Sequence, residues 1–406
     1  MRTLTIIVSV LALATFAACK KDAKQNDHNV RAGILPNGSA LPGVISTNVE
    51  LVANGTYYLN GKTYVKPGGN LIINAGVTVK GIPQFTPAEA SALIVTRGGL
   101  IHAVGTLENP IVFTSNSNFP AVGDWGGIVI LGDAPTNKFE PVIEGIDLPT
   151  LPIGVDVHYG GADATDSSGV LKFIRIEWAG ASVSDNNELN SLTLGGVGSR
   201  TVLDYIQASY GRDDSFEFFG GTVNATHLVS LSTNDDILDF DLGYTGTVQY
   251  VLGVRKQGFV YADANGIESD NDASGSADIP KTQPSVSNIT IIGRETAAFP
   301  GTLYAARFRR NSGMNVTNAV FLGYGMGIQV VSSTVFSGNV IHAFSALGPV
   351  PAGNEAHLNP VNSNTDIQLI DPFGSPFDPN TTLPAHAGKG CDPDYSYWFL
   401  TWTAGL

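Results

Sequence analysis

From about Val44 onward, short apolar runs alternate with glycine and asparagine. Leu71-Ile72-Ile73 leads into Ala75-Gly76-Val77. Leu93-Ile94-Val95 leads into Gly98-Gly99-Leu100-Ile101. Pro110 to Ser115 and Asp124 to Ile130 follow in the same style. Runs of four to six residues between glycine turns predict short β-strands, and no stretch carries a sustained helical apolar stripe. In the middle of the chain the pattern repeats with a fixed period. Asp213 and Asp235, Asp214 and Asp236, Glu217 and Asp239, Phe218 and Phe240, and Asp241 and Asp263 are each 22 positions apart (235 − 213 and so on). A period of this size is the mark of a solenoid. In a parallel β-helix, residues one period apart stack at the strand spacing of about 4.8 Å, so these pairs predict ladders along the axis. Asn288, Asn318 and Asn339 recur in related segments and predict a column of inward amides. After about Leu347 the pattern fades into a proline-rich tail expected to cover the end of the helix, whose last coil is an open edge.

The N-terminus has a different pattern. Arg2 is followed by an almost wholly apolar run from Thr3 to Phe16, then Ala17-Ala18-Cys19. A charged start, a short apolar core and small residues before a cysteine predict a secretory signal. The run is shorter than the roughly 20 residues that span a bilayer. The Phe-Ala-Ala-Cys ending resembles a bacterial lipobox, which makes Cys19 the expected lipidation site and the lipid the membrane anchor. Residues 19–43 are polar, charged and without period, so they read as a tether. The expected organisation is therefore a signal peptide over 1–18, a lipidated tether over 19–43, an all-β right-handed parallel β-helix over 44–346 and a loop-rich C-terminal cap over 347–406.

Composition narrows the partners. Only 14% of residues are charged, and the net charge of −14 becomes −15 once Arg2 leaves with the signal. That argues against nucleic acid, whose phosphates need clustered Lys and Arg, and suits cations or neutral ligands. The two cysteines are Cys19 and Cys391; with Cys19 acylated, no intrachain disulfide can form.

The segments DWGGIVILGDAPTN (124–137), IEG (143–145), HYGGADATDSSGVLKFIRIEWAG (158–180), the run 190–231 and NGIESDND (265–272) resemble a family of uncharacterised Bacteroidota outer-membrane lipoproteins. The resemblance implies a β-helix fold and an outer-membrane location, with surface exposure open; it implies no reaction. Two departures stand out. The family often has a longer acidic run at Asp235 to Asp239, and the end of this chain, Trp402 to Leu406, stops short of the family pattern.

The acidic ladder is the sharpest chemical feature: Asp213, Asp214, Glu217, Asp235, Asp236, Asp239, Asp241 and Asp263. Two carboxylates about 4.8 Å apart repel by roughly 3.5 kcal/mol at an effective dielectric of about 20. Calcium, which takes six to eight oxygens, would offset that. So would solvent and Arg212 if the ladder is a wet face, and a catalytic carboxylate pair is a further alternative. Asp270 to Gly275 opens like an EF-hand loop, adding Asp270 and Asp272 as candidate calcium ligands. Lys281 stands where that motif needs glutamate, so only an irregular loop is expected. Arg307 and Arg309 flank Phe308 and are candidates for holding an anionic sugar, or for pairing with the acidic face. Trp398 and Trp402 are candidate sugar platforms; Trp125, Trp178 and His158 read as packing or corner residues. No H-E-x-x-H, G-x-S-x-G or P-loop pattern occurs. The expected function is a binding module for a glycan or a membrane partner such as an outer-membrane transporter. The alternatives are a calcium-dependent polysaccharide lyase or glycosidase, and a structural stalk or adhesin. Replacing Cys19 by serine should move the protein from the membrane to the soluble fraction and abolish fatty-acid labelling; continued labelling rejects the anchor.

Overall fold

The computed structural model describes residues 33–86, 89–146, 151–184, 187–259, 261, 264–297, 301–331 and 334–406. The signal, Cys19, most of the tether and Asp263 lie outside them. The repeat folds into a right-handed parallel β-helix with three sheets. Sheet one stacks Gly33–Leu35, Asn48–Leu51, Asn70–Ile73 and Leu100–Val104. It continues through the first halves of Gly169–Glu177, Val202–Ser209, Asn224–Leu231, Thr247–Val254 and Ser285–Ile292. The second halves of those long strands continue sheet two, which starts with Thr56–Leu59, Thr78–Gly81 and Ile111–Ser115. Sheet three stacks Lys62–Val65, Ala92–Val95, Ile128–Leu131, Leu192–Gly195, Phe216–Phe219, Leu238–Asp241, Ile267–Ser269 and Tyr304–Phe308.

The interior follows from this register. Ala103, Leu171, Leu203, Ala225, Val248 and Val286 lie one above another inside sheet one. Phe218 sits over Phe240, with ring centroids 5.2 Å apart. Between sheets one and two the chain bends at one residue per coil. Phe173, Tyr205, His227, Tyr250 and Asn288 hold that place with φ of 52°, 56°, 54°, 59° and 54°. A left-handed conformation costs a non-glycine residue roughly 1–2 kcal/mol. The rings offset part of it by stacking, at centroid distances of 4.5, 4.3 and 5.0 Å from Phe173 to Tyr250.

Several boundaries differ from expectation. Gly33–Leu35 belongs to sheet one although it falls in the expected tether, because Leu35 packs against the first apolar coil. Glu355–Leu358 adds a strand to Val340–Ala346 inside the expected cap. The 22-residue offset holds from Glu217 to Asp239 and then lengthens: Asp239 pairs with Glu268 and Phe240 with Ser269, an offset of 29 (268 − 239). Extra residues before Ile267 lengthen this coil, and Asp263, the partner expected for Asp241, lies outside the described residues. Asn339 is buried and bonds to Asn354, whereas Asn288 and Asn318 occupy left-handed positions and do not join an inward column.

The C-terminal segment first adds Glu355–Leu358 to the last coil. It then runs back along the outer face of sheet two. Ile367, Leu369, Cys391, Phe399 and Trp402 pack on Val229, Leu252, Ile292, Val320, Leu322 and Val340. The contact reaches Gln207, whose amide bonds to the Ala404 backbone in both directions at 2.8 and 2.9 Å. The reason is plain in the register: these outward positions are apolar and need cover. On sheet three, Ile143, Ile146, Val157 and Tyr159 cover Tyr64, Ile94 and Val129 in the same way. No helix among the described residues is long and apolar enough to cross a membrane.

Candidate functional site

The outward row of sheet three changes character along the axis. In register it reads Tyr64, Ile94, Val129, Thr193, Glu217, Asp239, Glu268 and Arg307. Side chains alternate across a strand, so Phe216 and Phe218 point in while Glu217 points out. The apolar rows lie under the loop cover, and the acidic rows begin where it ends.

A second row stands at the corner just before these strands. Asp214 N–H donates to Asn190 Oδ1 (3.2 Å), Asp236 N–H to Asp214 Oδ1 (2.7 Å), Asn265 N–H to Asp236 Oδ1 (2.5 Å) and Tyr304 N–H to Asn265 Oδ1 (3.1 Å). Each side-chain oxygen thus satisfies an amide on the next coil. Asparagine does this at both ends of the row, so the corner itself does not require charge. Gly127 makes room at the first step: with φ of 88°, a Cβ there would fall 2.1 Å from the Asn190 carbonyl oxygen.

The two rows form one wall of a cleft of about 340 Å³. Asp213 and Asp235 extend the corner row, Glu144 comes from the covering loop, and Glu188 comes from the short hairpin of Ser182–Ser184 and Asn187–Glu188. Among the described residues, nine carboxylates and one guanidinium, that of Arg307, line the cleft. Burial pushes Asp213, Asp235 and Glu268 up to about 7 and Asp236 to about 8. Burial, with neighbouring carboxylates adding to it, drives Asp214, Glu217 and Asp239 well above the ordinary range. Arg255 lies buried beneath the corner, but it is spent on the carbonyls of Thr233, Asp235 and Asn265.

Three sets of carboxylates converge, each with oxygens within 4.8 Å of one another: Asp213, Asp214 and Asp235; Asp214, Glu217 and Asp239; and Asp236, Asp239 and Glu268. Asp239 Oδ1 is buried and accepts no hydrogen bond. Among the described residues the cleft has no histidine or cysteine lining, so its donors are oxygens. Such a set fits a hard divalent cation, calcium above all, and not zinc.

The other expected ligands are placed elsewhere or already engaged. Asp270 is paired with Arg309 at 3.0 Å and Arg310 at 2.7 Å. Asp272 accepts from the Ser274 and Ser276 amides at 2.8 and 3.1 Å and pairs with Lys138 at 2.8 Å. The irregular calcium loop is therefore closed by the chain's own groups. Asp241 points out from sheet three but lies beyond the cleft lining, with Oδ1 capping the Leu242 amide. Arg212 is exposed and does not line the cleft. Arg307 pairs with Glu268 at 3.2 Å, and Arg309 bonds to Glu268 as well as Asp270. Trp125 is buried, its Nε1 donating to the Glu177 carbonyl at 2.8 Å, and Trp178 stacks on Tyr210. Trp398 and Trp402 meet the aromatic column edge-on, and His158 bonds to Asp156 at 2.6 Å.

The 22-residue ladder did not include Glu268, Glu144 or Glu188, which the structure adds to the site. Glu268 had a signal: Asn265 to Asp270 repeats the polar pattern of Asp236 to Asp241 after a longer gap. Glu144 and Glu188 come from loops outside the repeat and had none.

The fold and the cleft define a class: a parallel β-helix with an acidic site on the outer face of one sheet. The family described as a pectate-lyase like β-helix domain matches residues 43–403, and the chain belongs to it. No curated protein and no solved structure matches the chain.

The raised carboxylates set a pH dependence. In the folded state they keep protons that the unfolded chain gives up above about pH 4. Their contribution is full below that pH and is lost as pH rises through the folded values near 7 and 8. With a chelator present, the melting temperature should fall steadily from about pH 5 to about pH 8. A flat or rising profile contradicts this.

Proposed function

We propose that the protein is a calcium-dependent receptor for acidic glycans, held at the outer membrane by a lipid on Cys19. The observation that carries this reading is the mismatch of charge in the cleft. Among the described residues nine carboxylates face it, and the guanidinium that lines it, that of Arg307, is already paired to Glu268. A calcium ion held by aspartates still has coordination positions to fill, since it takes six to eight oxygens. A uronate carboxylate supplies two. In a cleft lined this way, a bridging cation is what turns repulsion of an acidic polymer into attraction. The pectate-lyase type of β-helix supports a glycan as the ligand class. The signal and the Phe-Ala-Ala-Cys ending support the anchor, and a neighbouring outer-membrane transporter is the partner such a receptor would serve.

Binding is favoured over catalysis by two observations. A lyase needs a base beside the cation, but Arg307 and Arg309 are locked in ion pairs with Glu268 and Asp270. Glycosidase carboxylates stand roughly 5–5.5 or 6.5–9.5 Å apart across the sugar, whereas these sets crowd within 4.8 Å on one wall. A purely structural stalk has no use for charge at corners where Asn190 and Asn265 make the same bond.

Calcium at a hundredfold excess over its Kd should add about 2.7 kcal/mol of stability, seen as a higher melting temperature. A soluble polyuronate should bind in calorimetry with calcium and fail to bind with chelator, with no gain in the ultraviolet absorbance of an unsaturated product. Equal binding with chelator overturns the bridge, and product formation overturns the choice of binding over lysis.

A further inference from the structure

The register relates two of the carboxylate sets to each other. One coil along the axis carries Asp214 to the place of Asp236, Glu217 to Asp239, and Asp239 to Glu268. The set Asp214, Glu217, Asp239 is thus the set Asp236, Asp239, Glu268 displaced by one coil, and Asp239 belongs to both. The same step backwards gives Asn190, Thr193, Glu217; the same step forwards gives Asn265, Glu268, Arg307. With every group ionised, the four successive sets carry −1, −3, −3 and 0. At the last of them the chain supplies its own cation: Arg307 Nη1 lies 3.2 Å from Glu268, and the corner residue is Asn265. The two central sets have aspartate at the corner and three carboxylates each; the first has no guanidinium among the described residues, and in the second Arg307 and Arg309 reach Glu268 alone, from the side of the next coil. Independently, Asp239 Oδ1 is buried without a hydrogen-bond donor, and it is the oxygen of the residue the two sets share.

We infer that the cleft binds two divalent cations, one coil apart, bridged by Asp239. This rests on the calcium reading above and specifies it. The coil spacing sets the ions about 4.8 Å apart, wider than the roughly 3.5–4 Å of two-metal catalytic sites. The pair is therefore a binding platform that offers two adjacent cations to one polyanionic ligand. Each cation has a set of three carboxylates, one shared, and water or ligand oxygen completes the shell.

The test is the count of calcium ions bound per chain, by native mass spectrometry and by calorimetric titration with calcium alone. The unsubstituted protein should bind two. Asp214→Asn and Asp236→Asn should each bind one; asparagine preserves the corner hydrogen bond, as Asn190 and Asn265 already do. Asp239→Asn should weaken both sites about tenfold or more, with its melting curve in chelator no lower than that of the unsubstituted protein. A count of one, or an Asp239→Asn variant that keeps two ions at full affinity, overturns the paired site while leaving a calcium cleft standing. No saturable binding overturns both readings.

Discussion

Parallel register places every side chain about 4.8 Å from its counterpart on the next coil, and the rest of this structure follows from that constraint. Stacking like on like is favourable for apolar and aromatic groups. It gives the Phe218–Phe240 pair inside and the Phe173, Tyr205, His227, Tyr250 column at the bend. It is unfavourable for carboxylates, at roughly 3.5 kcal/mol per adjacent ionised pair at an effective dielectric of about 20. The chain nonetheless keeps carboxylates at Asp214, Asp236, Glu217, Asp239 and Glu268, all lining one cleft. The fold bears this cost at the positions where a cation would reverse its sign.

The outer faces show how the site is exposed. Sheet two carries an apolar exterior from Val229 to Val340, and the chain's own C-terminal segment lies on it. Sheet three is apolar outside only on its early coils, and the loop bearing Ile143 and Tyr159 covers those. The row then turns polar at Thr193 and acidic at Glu217. Cover and chemistry change at the same coil, so the loop that buries Ile94 and Val129 also delivers Glu144 to the rim.

The repeating part of this molecule was legible in the sequence because the sheet enforces the period. The 22-residue offset foretold Phe218 over Phe240 and Asp214 over Asp236. Where insertions lengthen a coil the fixed offset no longer finds the partner: the sheet pairs Asp239 with Glu268, 29 positions on. Glu188 reaches the cleft on a hairpin, which no periodicity marks. Asp270 and Asp272 looked like ligands in sequence, but Arg309, Arg310 and Lys138, remote in the chain, occupy them. The tail was read as an end cap from its prolines; Glu355–Leu358 does stack on the last coil, and beyond it the apolar exterior of sheet two, visible only once inward and outward positions are separated, draws the chain along the side.

The claim that this stack of carboxylates exists to hold divalent cations is tested most directly by locating them. Crystals grown with calcium and exchanged into a lanthanide should give an anomalous difference map with two peaks flanking Asp239, about 4.8 Å apart along the helix axis. A map with no peak in the cleft, while Asp214, Asp236 and Asp239 keep their positions, would contradict the account.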